Sequence, residues 1–120
     1  MSGRQRRPIG RIPYVAGQPY GDCVYFAIDH ATGLIKIGKT FTGYLLSRIR
    51  DIERDLGRPV TLLAYMSGDW YAEQALHKRF AHSRDHSEWF RASADLNALI
   101  SASTPAPEGI AYWGEWSWFR

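Results

Sequence analysis

Two short apolar runs flank a polar turn between positions 23 and 38, and no other feature constrains the chain as strongly. Alternating apolar residues on either side of a Gly-containing turn specify a β-hairpin. Side chains alternate faces along a strand. With the turn centred between His30 and Ala31, Tyr25 falls opposite Lys36. One face then carries Val24, Phe26, Ile28, Ile35 and Ile37, a core face. The other carries Cys23, Tyr25, Ala27, Leu34, Lys36 and Gly38. A tyrosine beside a lysine, next to a glycine that admits a ligand to the backbone, marks this second face as a candidate site.

The rest of the chain reads as support for that face. After a connector at 39–43, the spacing of Leu45, Ile49, Ile52 and Leu56 predicts a helix over 44–56, stopped by Gly57 and Pro59. Arg48 lies roughly 70° from the centre of that apolar stripe, at the border of core and solvent, with Arg50 and Arg54 further out. Residues 60–66 are apolar nearly throughout and read as a central strand buried on both faces. Asp69 is an N-cap for a helix over 70–81 that turns Ala72, Leu76 and Phe80 inward. Glu73 lies about 50° from the centre of this second stripe, with His77 also at its border. A carboxylate that close to a core must be paired, hydrogen-bonded or bound to a cation. Residues 82–88 read as a polar loop closed by Trp89 and Phe90, and Ser93 caps a short helix over 93–100. The expected class is α+β: a small three-stranded antiparallel sheet flanked by about three helices. The expected division is a basic arm over 1–22, a domain over 23–100, and a linker with an aromatic-rich tail over 101–120.

A chain of 120 residues supports one domain with a modest core. Its net charge of +3 and pI near 9.2 permit nucleic-acid binding. In the arm, Arg4, Arg6, Arg7 and Arg11 alternate with Gly and Pro. They read either as a solvated tail or as guanidinium forks for phosphate oxygens. The lone Cys23 excludes an intrachain disulfide framework and a cysteine-based zinc site, and a reducing, cytoplasmic setting fits. No run approaches the roughly 18 apolar residues of a membrane span. His77, His82 and His86 argue only weakly for zinc, because no further ligand is evident beyond Glu88 or Asp85. In the tail, Trp113, Trp116 and Trp118 have three readings: folding back over the domain, forming an oligomer or protein-partner interface, or stacking on unpaired bases.

Taken in order, these elements and motifs resemble the GIY-YIG nuclease superfamily, most closely its phage-type branch whose second motif begins with lysine. Cys23, Val24 and Tyr25 stand at the first motif, and Lys36, Ile37 and Gly38 at the second. Arg48 lies on the helix that resembles the arginine-bearing one, Glu73 to Phe80 resemble the E-x-x-L-H-x-x-F helix, and Ser87 to Phe90 resemble a G-E-W-F closure. The resemblance implies a metal-dependent endonuclease acting on DNA, with RNA a weaker alternative. It implies Tyr25 as general base, with Lys36 replacing the second tyrosine and Arg48 holding phosphate. It implies Glu73 as ligand of one Mg²⁺ or Mn²⁺, and His77 as proton shuttle or phosphate contact. Lys36, Lys39 and the metal are expected to favour the Tyr25 phenolate. Lys39 and Arg50 join the arm as nucleic-acid contacts, Arg50 also rivalling Arg48. Glu88, beside Trp89 and Phe90, is read as ordering the closing loop rather than binding metal. The competing reading is a non-catalytic nucleic-acid-binding or assembly module whose aromatic tail docks a partner.

Overall fold

The structure, a computed structural model, describes Ile12 and residues 16–107. Among these residues the elements are β1 (Asp22–Asp29), β2 (Ile35–Phe41), α1 (Leu45–Leu56), β3 (Val60–Ser67), α2 (Trp70–Arg79), β4 (Arg84–His86), β5 (Trp89–Phe90), α3 (Ala94–Ala102) and β6 (Thr104–Pro105). The strands form one antiparallel sheet in the order β4-β5-β2-β1-β3-β6. The α+β class and the three helices match expectation. The sheet has six strands rather than three. The stretch expected as a polar loop folds into the β4–β5 hairpin on the outer edge of β2, and two residues of the expected linker pair with β3 as β6. Both additions satisfy backbone groups that β2 and β3 would otherwise present at open edges. Among the described residues no helix is long and apolar enough to cross a membrane.

The hairpin register also differs from expectation, by two residues. Tyr25 lies opposite Gly38, and Lys36 opposite Ala27. The cause is Asp29, which stays in the strand and organises the loop. Its carbonyl accepts from Gly33 N–H at 2.7 Å, and its carboxylate accepts from Ala31 N–H and the Thr32 hydroxyl, each at 3.0 Å. Gly33 supplies the positive φ of 75° that this longer loop needs. Arg58, arriving from the turn just before β3, clamps the same carboxylate with Nε and Nη2 at 2.7–3.1 Å. A shift of two preserves facing, so Tyr25 and Lys36 remain on one side of the sheet.

β2 and β1, not β3, are the two central strands, and both faces of β1 are dry. Val24 and Phe26 pack with Ile35, Ile37, Ala64, Leu76, Phe80, Phe90 and Leu96 under α2 and α3. Cys23, Tyr25 and Ala27 pack with Leu45, Leu46, Ile49 and Ile52 of α1 and with Val60, Leu62 and Tyr65 of β3. The face expected to be an open polar surface is therefore a second core. A bulge explains how β3 serves both layers. The register with β1 shifts between Phe26 and Ala27, so Leu62 and Tyr65 reach the α1 side while Ala64 faces the other. Ile12, within the expected arm, is buried in the α1-side core. Arg4, Arg6, Arg7, Arg11, Trp113, Trp116 and Trp118 lie outside the described residues.

The helix ends follow local chemistry. Gly57 closes α1 in the left-handed region (φ 74°), the Asp69 carboxylate accepts from Ala72 N–H at 3.1 Å, and the Ser93 hydroxyl accepts from Leu96 N–H at 3.1 Å. Glu53 ties α1 to β3: its carboxylate accepts from Val60 N–H at 2.9 Å while its carbonyl accepts from Gly57 N–H. Burial pushes its pKa up from 4.5 to about 7, against the hydrogen bond from Val60 and the charge of Arg50. Between those two values the folded chain holds a proton that the unfolded chain has released. Stability therefore falls as pH rises through that window. Glu53→Gln keeps an acceptor for Val60 and removes the titration. Urea melts at several pH values should show that this variant gains about 2 kcal/mol over the parent at pH 8 and little at pH 4.

Candidate functional site

The site lies where β2 loses its neighbour. β5 pairs only with Ile35 and Lys36, and Ile37 N–H then takes the Glu88 carbonyl at 3.0 Å. The Ile37 carbonyl, buried beyond the end of β5, has no strand partner on that side. His77 fills the gap, with Nε2 donating to this oxygen at 2.8 Å. His77 is brought there by α2, and Glu73, four residues earlier, lies on the same helical face. Both are buried, at 6% and 7% exposure for Glu73 and His77. The Phe90 ring lies against the imidazole, with centroids 5.4 Å apart.

Glu88 enters from the β4–β5 turn. His86 pairs with Trp89, so Ser87 and Glu88 make a two-residue turn, and Ser87 takes a positive φ of 51°. That conformation favours glycine, and in this chain a serine bears the cost. The turn presents the Glu88 carboxylate to Lys36, whose Nζ lies 2.9 Å from Oε1 and 5.5 Å from the centroid of the Trp89 ring. One ligand atom from each of Glu73, His77 and Glu88 lies within 4.8 Å of the others. His82 and His86 are outside this group, and His86 pairs instead with Asp85.

Tyr25 approaches from the α1 side. Its ring covers Gly38: a Cβ built there would lie 2.8 Å from Cε2 and closer still to Cζ and the hydroxyl oxygen. The glycine thus makes room for the tyrosine itself, not for a ligand. Burial pushes the Tyr25 phenol well above its usual range. Arg48 opposes that shift, while Glu88 and Glu73 add to it. Lys36 pairs with Glu88 and Lys39 with Asp22 at 3.2 Å, and the cation that opposes the shift is Arg48 rather than either lysine. Burial likewise raises the Glu73 pKa, and Glu88 adds to it, while His77 and Lys36 act the other way.

Tyr25, Lys36, Arg48, Glu73 and His77 thus fall within electrostatic reach of one another or of a shared neighbour. Arg48 is exposed and acts on Tyr25; Arg50 is half-buried and acts on Glu53, away from this group. Lys39 sits at the far end of β2 in its pair with Asp22. Glu88 belongs to the group, although its sequence neighbours favoured a role in ordering the loop over its rivalry with Glu73 for a metal. The readable signal was its acidic side chain in a short turn beside two core aromatics.

The chain thus sets two helical layers on one antiparallel sheet, with a carboxylate–imidazole group beside a buried tyrosine. The model of the T5orf172 domain family matches residues 22–103, and the chain belongs to that family. The family is a phage-associated, nuclease-like domain, which indicates a nuclease or DNA-binding role. Neither the curated proteins nor the solved structures contain a match to this chain.

Because the Tyr25 ring occupies the space above Gly38, Gly38→Ala should cost about 1–3 kcal/mol in denaturant melts. In a Tyr25→Ala background the same change should cost far less. A double-mutant cycle reads this coupling directly.

Proposed function

We propose that the chain is a GIY-YIG-type, metal-dependent endonuclease that hydrolyses DNA phosphodiester bonds. The observation that carries this reading is a buried carboxylate, Glu73, grouped with His77 and Glu88 and felt electrostatically by Tyr25, in a chain of a nuclease-like family. Among the described residues no cation pairs with Glu73, and a side-chain hydrogen bond to Gln74 does not neutralise it. An oxygen and imidazole donor set with such a carboxylate fits a divalent ion, Mg²⁺ or Mn²⁺. When bound, the ion would supply positive charge to the phosphate and to the leaving oxygen.

The chain's own residues take the remaining roles. Arg48, exposed at the border of α1, offers its guanidinium to non-bridging phosphate oxygens. Tyr25 takes the proton of the attacking water. The new P–O bond forms as the ester bond breaks, and the departing oxygen takes up a proton, with His77 the nearby imidazole able to relay it. Lys36 balances carboxylate charge beside the site. Lys39, Arg50 and the arginines of the N-terminal arm serve as backbone contacts to nucleic acid.

A second reading is favoured by one observation, the upward shift of the Tyr25 phenol. A phenol that stays protonated cannot act as a base, and the domain would then bind nucleic acid without cutting it. The pH dependence separates the two. A base with a raised pKa is ionised in a fraction that grows tenfold per pH unit. Single-turnover nicking of supercoiled plasmid with Mg²⁺ or Mn²⁺ should therefore climb with pH from about 7 to about 9. Glu73→Gln and Tyr25→Phe should each lose about 100-fold or more. Full cleavage in both variants would reject this site, and DNA binding with no nicking under any of these conditions would establish the second reading.

A further inference from the structure

We propose that Glu73, His77 and Glu88 together form a three-ligand site for a first-row transition-metal dication, and that Lys36 holds Glu88 until the ion displaces it. Its use in cleavage rests on the nuclease reading; its existence does not.

The placement of the three side chains carries the proposal. Their ligand atoms lie within 4.8 Å of one another, although Glu73 and His77 come from α2 and Glu88 from the β4–β5 turn. Around an ion with bonds of about 2.1 Å, adjacent ligand atoms are about 3 Å apart and opposed ones about 4.2 Å apart. Small side-chain rotations bring the three onto one centre. Glu73 is more than nine-tenths buried and forms no ion pair among the described residues, and its ligand atom lies within the group.

The tautomer of His77 supports the assignment. The Ile37 carbonyl can only accept, so Nε2 bears the hydrogen of that 2.8 Å contact. The lone pair of the neutral ring then sits on Nδ1. Metal-binding histidines are commonly fixed this way, one nitrogen donating to a carbonyl while the other ligates. The imidazole also sets metal preference. Carboxylates and water suit Mg²⁺, whereas a nitrogen ligand shifts preference toward Mn²⁺ and Zn²⁺. Glu88, with 39% of its side chain exposed, leaves one side of the group wet, where waters or a phosphate oxygen can complete the shell.

Lys36 supplies the exchange. Its ammonium and an arriving dication compete for the same Glu88 carboxylate. Once the ion takes Glu88, the ammonium stays beside the Trp89 ring and becomes available to an anion at the site. The ion would thereby place its own charge and free a second one in a single event.

Titration of the full-length chain with Mn²⁺ alone, by calorimetry and by the loss of the free-ion electron paramagnetic resonance signal, tests this without DNA. Binding should occur at one site, with Mg²⁺ competing at least tenfold more weakly. Glu88→Gln and His77→Gln should each weaken Mn²⁺ binding at least tenfold, and His77→Gln should also narrow the preference over Mg²⁺. Lys36→Met should tighten binding several-fold. Far-UV circular dichroism controls for folding, and Gln keeps the size of the half-buried Glu88 side chain. Wild-type affinity in the Glu88 and His77 variants, with loss only in Glu73→Gln, would overturn the three-ligand site. Unchanged affinity in Lys36→Met would overturn the exchange. Three-ligand Mn²⁺ binding by a chain that nicks no DNA would instead refute the nuclease reading and leave the site standing.

Discussion

β1 runs through the middle of the sheet with apolar side chains on both faces, and each face requires its own cover. α1 covers one side and α2 with α3 the other. Burying a side chain such as Phe26 or Ile37 is worth about 1.5–3 kcal/mol relative to leaving it exposed. Losing either layer would therefore consume much of a small domain's net stability of about 5–15 kcal/mol. This constraint also delivers the chemistry. Tyr25 and Arg48 belong to the α1 layer, Glu73 and His77 to the α2 layer, and they meet at the edge of β2 where the sheet stops separating them.

The electrostatic balance at that edge is unusual for a surface of net positive charge. Two carboxylates stand together, one buried without a cation and one held by Lys36. Both push the Tyr25 phenol upward, with Arg48 the opposing charge. A group arranged in this way disfavours its own ionisation until positive charge arrives. Burial is the larger cause of the upward shifts of both Tyr25 and Glu73, and the neighbouring carboxylates add to it.

Much of the frame was legible because it rests on local signals. Apolar spacing marked α1, Asp69 and Ser93 marked helix starts, and Gly57 marked a stop. The hairpin register was not legible, because the loop is set by Asp29 and its Arg58 partner 29 residues away. Nor were the added strands. β4 is short and exposed at every position, and β6 is a Thr-Pro pair, so neither carries an alternating pattern. The second dry face was hidden in Cys23, Tyr25 and Ala27, whose mixed chemistry reads as polar until α1 is laid over it. Within the site, the special standing of Glu73 followed from its place near the helix stripe. The grouping with Glu88 required a turn that only the β4–β5 pairing defines.

The same turn has a consequence for how long the site exists as a unit. The central strands are locked by seven-residue ladders on both sides of β1, whereas the hairpin is joined to β2 through two residue pairs and the Ile37 N–H bond to the Glu88 carbonyl, and carries a strained Ser87. Segments with few pairings open locally at a fraction of the global unfolding free energy. The Glu88 arm can thus swing away while the layers around β1 stay folded, and the lifetime of the assembled group is set by this hairpin's breathing rather than by the melting of the domain.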